Sequence, residues 1–411
     1  MDTLLLIGSI ILVGVIGNLL FNKTKIPEAL FLIVLGLIIG PFLHIIDPAP
    51  FIEVAPLLAT LALIIILLDS GLSFNIFSLI KNFSKTILFT ITCLTLTTLF
   101  TTFFFHYIMH WEWLNALLIS VITAGTTSIT VSYLVSKLSI DHPVKELLMM
   151  ESVISDVLLI TAAIIIIEII VTKQVNIKHG ASTLASSFSI ALVIAIFLAI
   201  FWVYILGKHR TKLSYVATVG ILFILYALVE YLRGSGAIAV LVFCILLGNS
   251  SKLFEKIKFK SNSVHTLPVK TMKDMQTVQS AISFFTKTFF FFLLGLIFNT
   301  SKVSSKLVLI AFAMLLVALV ARYLSTRILI RFDNKFKNNT FLITTILPRG
   351  FVATVLAFMP SSYGIEIPYL IEIVLLVIFF TTFIAIISVA LYEKGYMRPV
   401  PLDTKSSKTK K

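Results

Sequence analysis

The feature that most constrains this chain is a succession of long apolar runs separated by short polar breaks. A helix needs about 20 apolar residues to cross a bilayer. Unpaired backbone groups are costly in hydrocarbon, so runs of this length are expected to be helical. Reading runs against breaks predicts spans at 3–20, 27–43, 54–72, 86–108, 113–136, 146–171, 184–206, 213–231, 236–249, 275–298, 307–329, 340–359 and 366–392. Thirteen spans place the two ends of the chain on opposite sides of the membrane. The longest break runs from Ser250 to Asp274, too short for a soluble domain. The expectation is an all-α polytopic membrane protein: one integrated transmembrane domain over 1–393 and a basic tail over 394–411.

Composition agrees. Of the 411 residues, 58% are hydrophobic and 13% are charged, against a usual charged share of about 25% in soluble domains. This excludes an ordinary soluble enzyme, a disordered chain and a disulfide scaffold. The formal net charge is +14. In a soluble protein that would suggest nucleic acid; in a membrane protein the cations report orientation instead. With the N-terminus placed outside, 25 of the 33 Lys and Arg fall in loops assigned to the cytoplasm or in the tail, and 5 fall outside. The other 3, Lys287, Arg322 and Arg349, lie within spans. Miscounting one span would scramble this asymmetry. The predicted location is the plasma membrane, with the C-terminus cytoplasmic. Cys93 and Cys244 sit in apolar runs and read as small hydrophobes. The first apolar stretch follows Asp2, lacks a cleavage motif and does not read as a removable leader.

Three spans contain irregular polar stretches: Gly40-Pro41, Gly125-Thr126-Thr127-Ser128 and Pro348-Arg349-Gly350. Irregular backbone at membrane depth is tolerated only where protein or a wet cavity covers it. Interrupted helices at matching places in two halves point to a transporter binding site. Here they are the fifth and twelfth spans.

Ionisable groups in hydrocarbon are rare and usually functional. The acids at that depth are Asp69, Glu151 and Asp156. In Glu151-Ser152-Val153-Ile154-Ser155-Asp156, helical spacing puts Ser152, Ser155 and Asp156 on one face. Two hydroxyls and a carboxylate are the oxygen ligands that hard cations prefer. Thr126 and Thr127 can add hydroxyls and carbonyls from the interrupted backbone. The plain alternative for Asp156 is a carboxylate held by interhelical hydrogen bonds. Glu151 reads as the partner of Arg349 in a structural ion pair. Asp69 could also reach water at a helix end, and Arg322 and Lys287 could snorkel or balance charge. Glu168, Glu230 and Glu372 lie toward outer ends and are expected to be solvated.

The pattern resembles the monovalent cation:proton antiporters, the sodium/proton exchanger superfamily, in its NhaP-like branch. The resemblance covers almost the whole chain. It rests on Ile26-Pro27 through Gly40-Pro41, Leu67-Leu68-Asp69-Ser70-Gly71-Leu72, Glu151-Ser152 with Ser155-Asp156, Phe290 through Leu296, and Pro348-Arg349-Gly350 with Ala353 and Leu356-Ala357. It implies an inverted-repeat fold in which broken helices 5 and 12 cross beside the essential Asp. It also implies a core (86–171 and 307–392), a dimerisation scaffold (3–72 and 184–298), a homodimer and an elevator-like movement. Carried over, Asp156 binds the cation or the proton. Ser152, Ser155, Thr126 and Thr127 assist, Asp69 acts through water, and Glu151 pairs with Arg349. Two positions depart from the pattern: Thr127 stands where many relatives carry an acid, and Ser155 precedes the key Asp.

The expected function is secondary active transport, with Na+ (or K+ or Li+) exchanged for H+ and serving pH homeostasis. No enzymatic activity, cofactor or nucleic acid is implied; the partners are the ions, membrane lipid and a second copy of the chain. A single acid at the site predicts electroneutral 1:1 exchange. A carboxylate taken out of water needs a counter-charge; a proton and a cation compete to supply it. A K+/H+ antiporter uses the same fold. A cation channel or sensor would lack proton coupling. An organic-anion transporter would use Arg349 at the broken helix. The charges of Asp69, Glu151 and Asp156 against Arg349, with or without Arg322, favour a cation.

Overall fold

The computed structural model describes residues 8, 11–12, 15–16, 28–73, 83–138, 140–172, 177–208, 213–250, 269–298 and 303–394. Most of the expected span 3–20, the greater part of the loop after Ser250 and the basic tail lie outside the described residues. Within the described residues all regular structure is helical.

The helices in chain order are α1 (Glu28–Leu37), α2 (Ala49–Ser73), α3 (Phe83–Phe103), α4 (Trp113–Ile122), α5 (Ser128–Lys137), α6 (His142–Thr172) and α7 (Ile177–Lys208). They continue with α8 (Ser214–Tyr231), α9 (Gly236–Gly248), α10 (Val269–Ile297), α11 (Ser305–Phe332), α12 (Thr340–Thr345), α13 (Phe351–Ser362) and α14 (Leu370–Glu393). Seven described helical segments are long and apolar enough to cross a membrane. At 1.5 Å per residue, the 31 residues of α6 extend about 46 Å, more than the roughly 30 Å of hydrocarbon.

Two of the expected spans each resolve into a pair of shorter helices. The 10-residue α4 and 10-residue α5 are each about 15 Å long, half the hydrocarbon thickness. Residues 123–127 between them are non-helical, as are residues 346–350 between α12 and α13. At the end of α1, Pro41 lies in a wider π-helical turn, Ile38–Phe42. A proline lacks the donor that a regular turn requires, so the ladder widens there.

The helices pack in two groups. In one, α10 packs on α1 and α2, and α9 packs on α2, α7 and α8. In the other, α11 packs on α3 and α14, α4 and α5 on α6, and α3 on α4 and α6. The groups meet mainly where α13 lies against α2 and α10. Small residues permit the closest approaches. A Cβ on Gly295 would sit 2.2 Å from the carbonyl oxygen of Ile33, and one on Gly36 would sit 2.3 Å from that of Phe292. Phe290, Phe291 and Phe292 are buried, and Phe290 meets Phe351 and Phe358 edge-on. Phe290 and Phe291 meet α13 across the seam between the groups.

Candidate ion-binding site

The site forms where the interruption between α4 and α5 meets the interruption before α13, beside the middle of α6. The two interruptions touch: the Thr127 N–H donates to the Pro348 carbonyl at 2.9 Å. Gly350 makes room for this, because a Cβ there would lie 2.9 Å from the Thr127 side chain. Gly125 similarly fits under Leu159 of α6, where a Cβ would approach a methyl carbon to 1.9 Å.

Each interruption leaves helix-end groups without intrahelical partners. The start of α5 is the positive end of its dipole. Asp156 sits there, with its carboxylate accepting from the backbone N–H and the hydroxyl of Ser128. The end of α4 is the negative end. Arg349 reaches across from the other interruption and donates through Nη1 to the Ala124 carbonyl. Its own backbone N–H donates to Thr381 Oγ1 of α14 at 3.1 Å. A buried carboxyl group and a buried guanidinium thus face opposite helix ends.

Sequence reasoning pairs Glu151 with Arg349, whereas the side chains pair Glu151 with Arg322. Arg322 Nη1 and Nη2 reach the two carboxylate oxygens at 3.1 and 3.0 Å. Arg322 Nε donates to the Ile343 carbonyl at 2.6 Å, and the guanidinium lies over the Phe89 ring. A two-point fork matches the planar carboxylate. Arg349 lies in non-helical backbone, and its side chain is already committed to Ala124. Thr126 Oγ1 donates to Glu151 at 3.1 Å, which joins this pair to the interrupted strand of backbone.

Ser155 Oγ donates to the Ser152 carbonyl at 2.9 Å and approaches the Thr126 carbonyl at 3.3 Å. Ser152 Oγ donates to the Met149 carbonyl at 2.9 Å. Both hydroxyl oxygens keep lone pairs for a ligand. Thr127 packs against Gly350. Asp69 lies 3.2 Å from Lys287 Nζ, and that ammonium stands 5.7 Å from the Phe351 ring. Lys287 is therefore engaged with Asp69, which fits the charge-balancing alternative and not snorkelling. Of the outer acids expected to be solvated, Glu230 is exposed, Glu168 is half-buried and Glu372 is buried.

The structure brings Thr126, Glu151, Ser155 and Arg322 into one hydrogen-bonded set. Asp156 is joined to Ser128, and Asp69 to Lys287. Ser128 is the residue that sequence reasoning left out of the site. The available signal was a serine at the first position after a break, where its side chain and N–H favour an oxygen partner. The charge reading also changes. Lys287 belongs with Arg322 and Arg349, so three carboxylates stand among three cations. Among the described residues, Asp69 and Glu151 have ion-pair partners and Asp156 has none.

Residues 8–393 match the family model described as the transmembrane sodium/hydrogen exchanger. The chain belongs to the sodium/hydrogen exchanger family. Among curated relatives, this exchanger-family chain is 33% identical over 174 residues to Na(+)/H(+) antiporter 1 of Methanocaldococcus jannaschii. That stretch covers 41% of this chain and 40% of the relative's length. Among solved structures, the fold is that of the sodium proton antiporter MjNhaP1 from the same organism at pH 8, with TM-score 0.74 and 23% identity. That match covers 96% of this chain and 100% of MjNhaP1. An electron-microscopy structure of MjNhaP1 matches with TM-score 0.67 and 22% identity, over 100% of both chains.

Proposed function

We propose that this exchanger-family chain is a monovalent cation:proton antiporter, working as Na+/H+ exchange, with Asp156 as the group that alternately holds the cation and the proton. The observation that carries this reading is the state of Asp156. It is a buried carboxylate at the start of a half-length helix, the site acid with no ion-pair partner among the described residues. The Ser128 hydroxyl at the same helix start offers it a further oxygen. Asp69 and Glu151 are each held by a fixed cation, which supports a single exchanging acid and a 1:1 stoichiometry.

In this reading α4 with α5, and α12 with α13, are the broken halves of two membrane helices that cross at the Thr127–Pro348 contact. The core comprises 86–171 and 307–392, and the scaffold comprises 3–72 and 184–298. The two packing groups of helices support this division, and the seam along α13 is where an elevator-type movement would slide. The protein works as a homodimer in the plasma membrane, with its C-terminus in the cytoplasm; the cation asymmetry supports that orientation. Movement is permitted only when the carboxylate is neutralised, so cation and proton exchange by competing for one site.

The test is dequenching of a pH dye in proteoliposomes, titrated with Na+, K+ and Li+. Asp156→Asn is expected to abolish the cation-driven pH change while the protein still folds. A sodium-dependent pH change persisting in that variant would refute the assignment. Cation conductance without proton movement in the wild type would make the protein a channel.

A further inference from the structure

At the end of α11 that the charge asymmetry assigns to the cytoplasm lies a groove of about 770 Å³, remote from Asp156 in the sequence and in its chemistry. Arg327, Arg331 and Asn334 line one part of it; Leu96 of α3 with Leu324, Ile328, Ile330 and Phe332 of α11 line the rest. Arg327 and Arg331 are one helical turn apart on the same face and are both exposed. Among the described residues neither has a carboxylate within ion-pair distance. The neighbouring Asp333 is held by Lys85 instead. Arg327 is set in place by the Tyr323 ring, 5.6 Å away. In the groove wall Leu324 and Phe332 expose 39% and 67% of their surface, which suits contact with acyl chains rather than water.

We propose that this groove is a binding site for an anionic phospholipid, with its phosphodiester between Arg327 and Arg331 and an acyl chain along Leu96, Leu324 and Ile328. Charge complementarity selects the occupant. Two guanidinium groups without acids match a phosphate, through paired N–H donors, and the anionic inner leaflet supplies one. The adjoining apolar wall matches the tail. The same helix carries Arg322, which holds Glu151 beside the interrupted backbone. Occupancy would therefore brace α11 against α3 at the inner end, and couple lipid charge to the stability of the site's framework.

The experiment compares the full chain in vesicles of phosphatidylcholine alone with vesicles containing phosphatidylglycerol. Melting and antiport are measured for wild type, Arg327→Gln/Arg331→Gln and Arg327→Lys/Arg331→Lys. In the wild type phosphatidylglycerol is expected to raise the melting temperature by about 2–4 °C and to increase the transport rate. The glutamine pair loses both responses while matching the wild type in phosphatidylcholine; the lysine pair retains part of them. A glutamine pair that responds to phosphatidylglycerol like the wild type would overturn the proposal. So would inorganic phosphate giving the same protection in detergent, which would make the groove a phosphate site. Because melting is read separately from transport, loss of antiport altogether would count against the proposed function and leave the lipid result standing.

Discussion

At the residue scale, Glu151 and Arg322 form the pair on which the site's framework depends. Both are almost fully buried, at 1% exposure each. Removing one partner leaves a charge stranded away from water, which costs about 3–5 kcal/mol. Glu151→Gln is therefore expected to lower the melting temperature in detergent markedly. Replacing the pair together, as Glu151→Gln with Arg322→Met, should recover a large part of that loss, because the stranded charge is gone. Unchanged melting in Glu151→Gln, with cation binding lost, would identify Glu151 as a ligand. The pairing itself was only half legible. The sequence placed Glu151, Arg322 and Arg349 within spans, but which guanidinium reaches the carboxylate depends on helix phase and on the non-helical path through Pro348 and Gly350.

At the scale of elements, the closest helix packing rests on glycines facing backbone. Gly295 on α10 meets the Ile33 carbonyl, which cannot move aside as a side-chain tip can. Gly295→Ala is expected to destabilise the protein by about 1–3 kcal/mol, read as a fall in melting temperature. Gly220→Ala on α8 has open space around the added carbon and should change stability by less than about 1 kcal/mol, in the favourable direction. Equal effects from the two would show that α1 and α10 are not closely packed. A second link joins the start of α3 to the end of α11. Lys85 donates to Asp333 and the Lys335 N–H adds a second bond, and together they hold the Asp333 carboxyl below the usual carboxylate range. A depressed folded-state pKa contributes stability that is present above the unfolded value, about 3.9 for Asp, and is lost as the pH falls through the folded value. Asp333→Asn should therefore lower melting at neutral pH, and the gap from wild type should close on acidification below about pH 4. A gap that stays constant with pH would rule out this linkage.

At the scale of the whole molecule, the site carries three acids and three bases. With all of them ionised its charge is zero, and under the proposed mechanism a proton or a monovalent cation on Asp156 would raise it to the same value. The proposed 1:1 cycle would then move no net charge across the membrane. Exchange in proteoliposomes is expected to run at one rate with and without an imposed membrane potential. A rate that follows the potential would require a second acid or a second proton in the cycle. The same balance reconciles a strongly basic chain with the proposed cation site: most of its Lys and Arg fall in the predicted loops and tail, while Lys287, Arg322 and Arg349 are matched by carboxylates or a helix end.

The sequence by itself determined the class of fold and the family, and it pointed to the region of the candidate site. Apolar run length, loop charge and polar interruptions are local properties, because the bilayer imposes its thickness and its intolerance of unpaired backbone on each segment separately. Glu151, Ser152, Ser155 and Asp156 are legible for the same reason: they lie within one helix, and helical spacing fixes their faces. Only the tertiary structure decided which charges meet. Arg322 is 171 residues from Glu151 and Lys287 is 218 from Asp69, and no local period relates such positions. It also placed Ser128 against Asp156 and Arg349 against Ala124, because the ends of the interrupted helices acquire partners only when separate segments pack together.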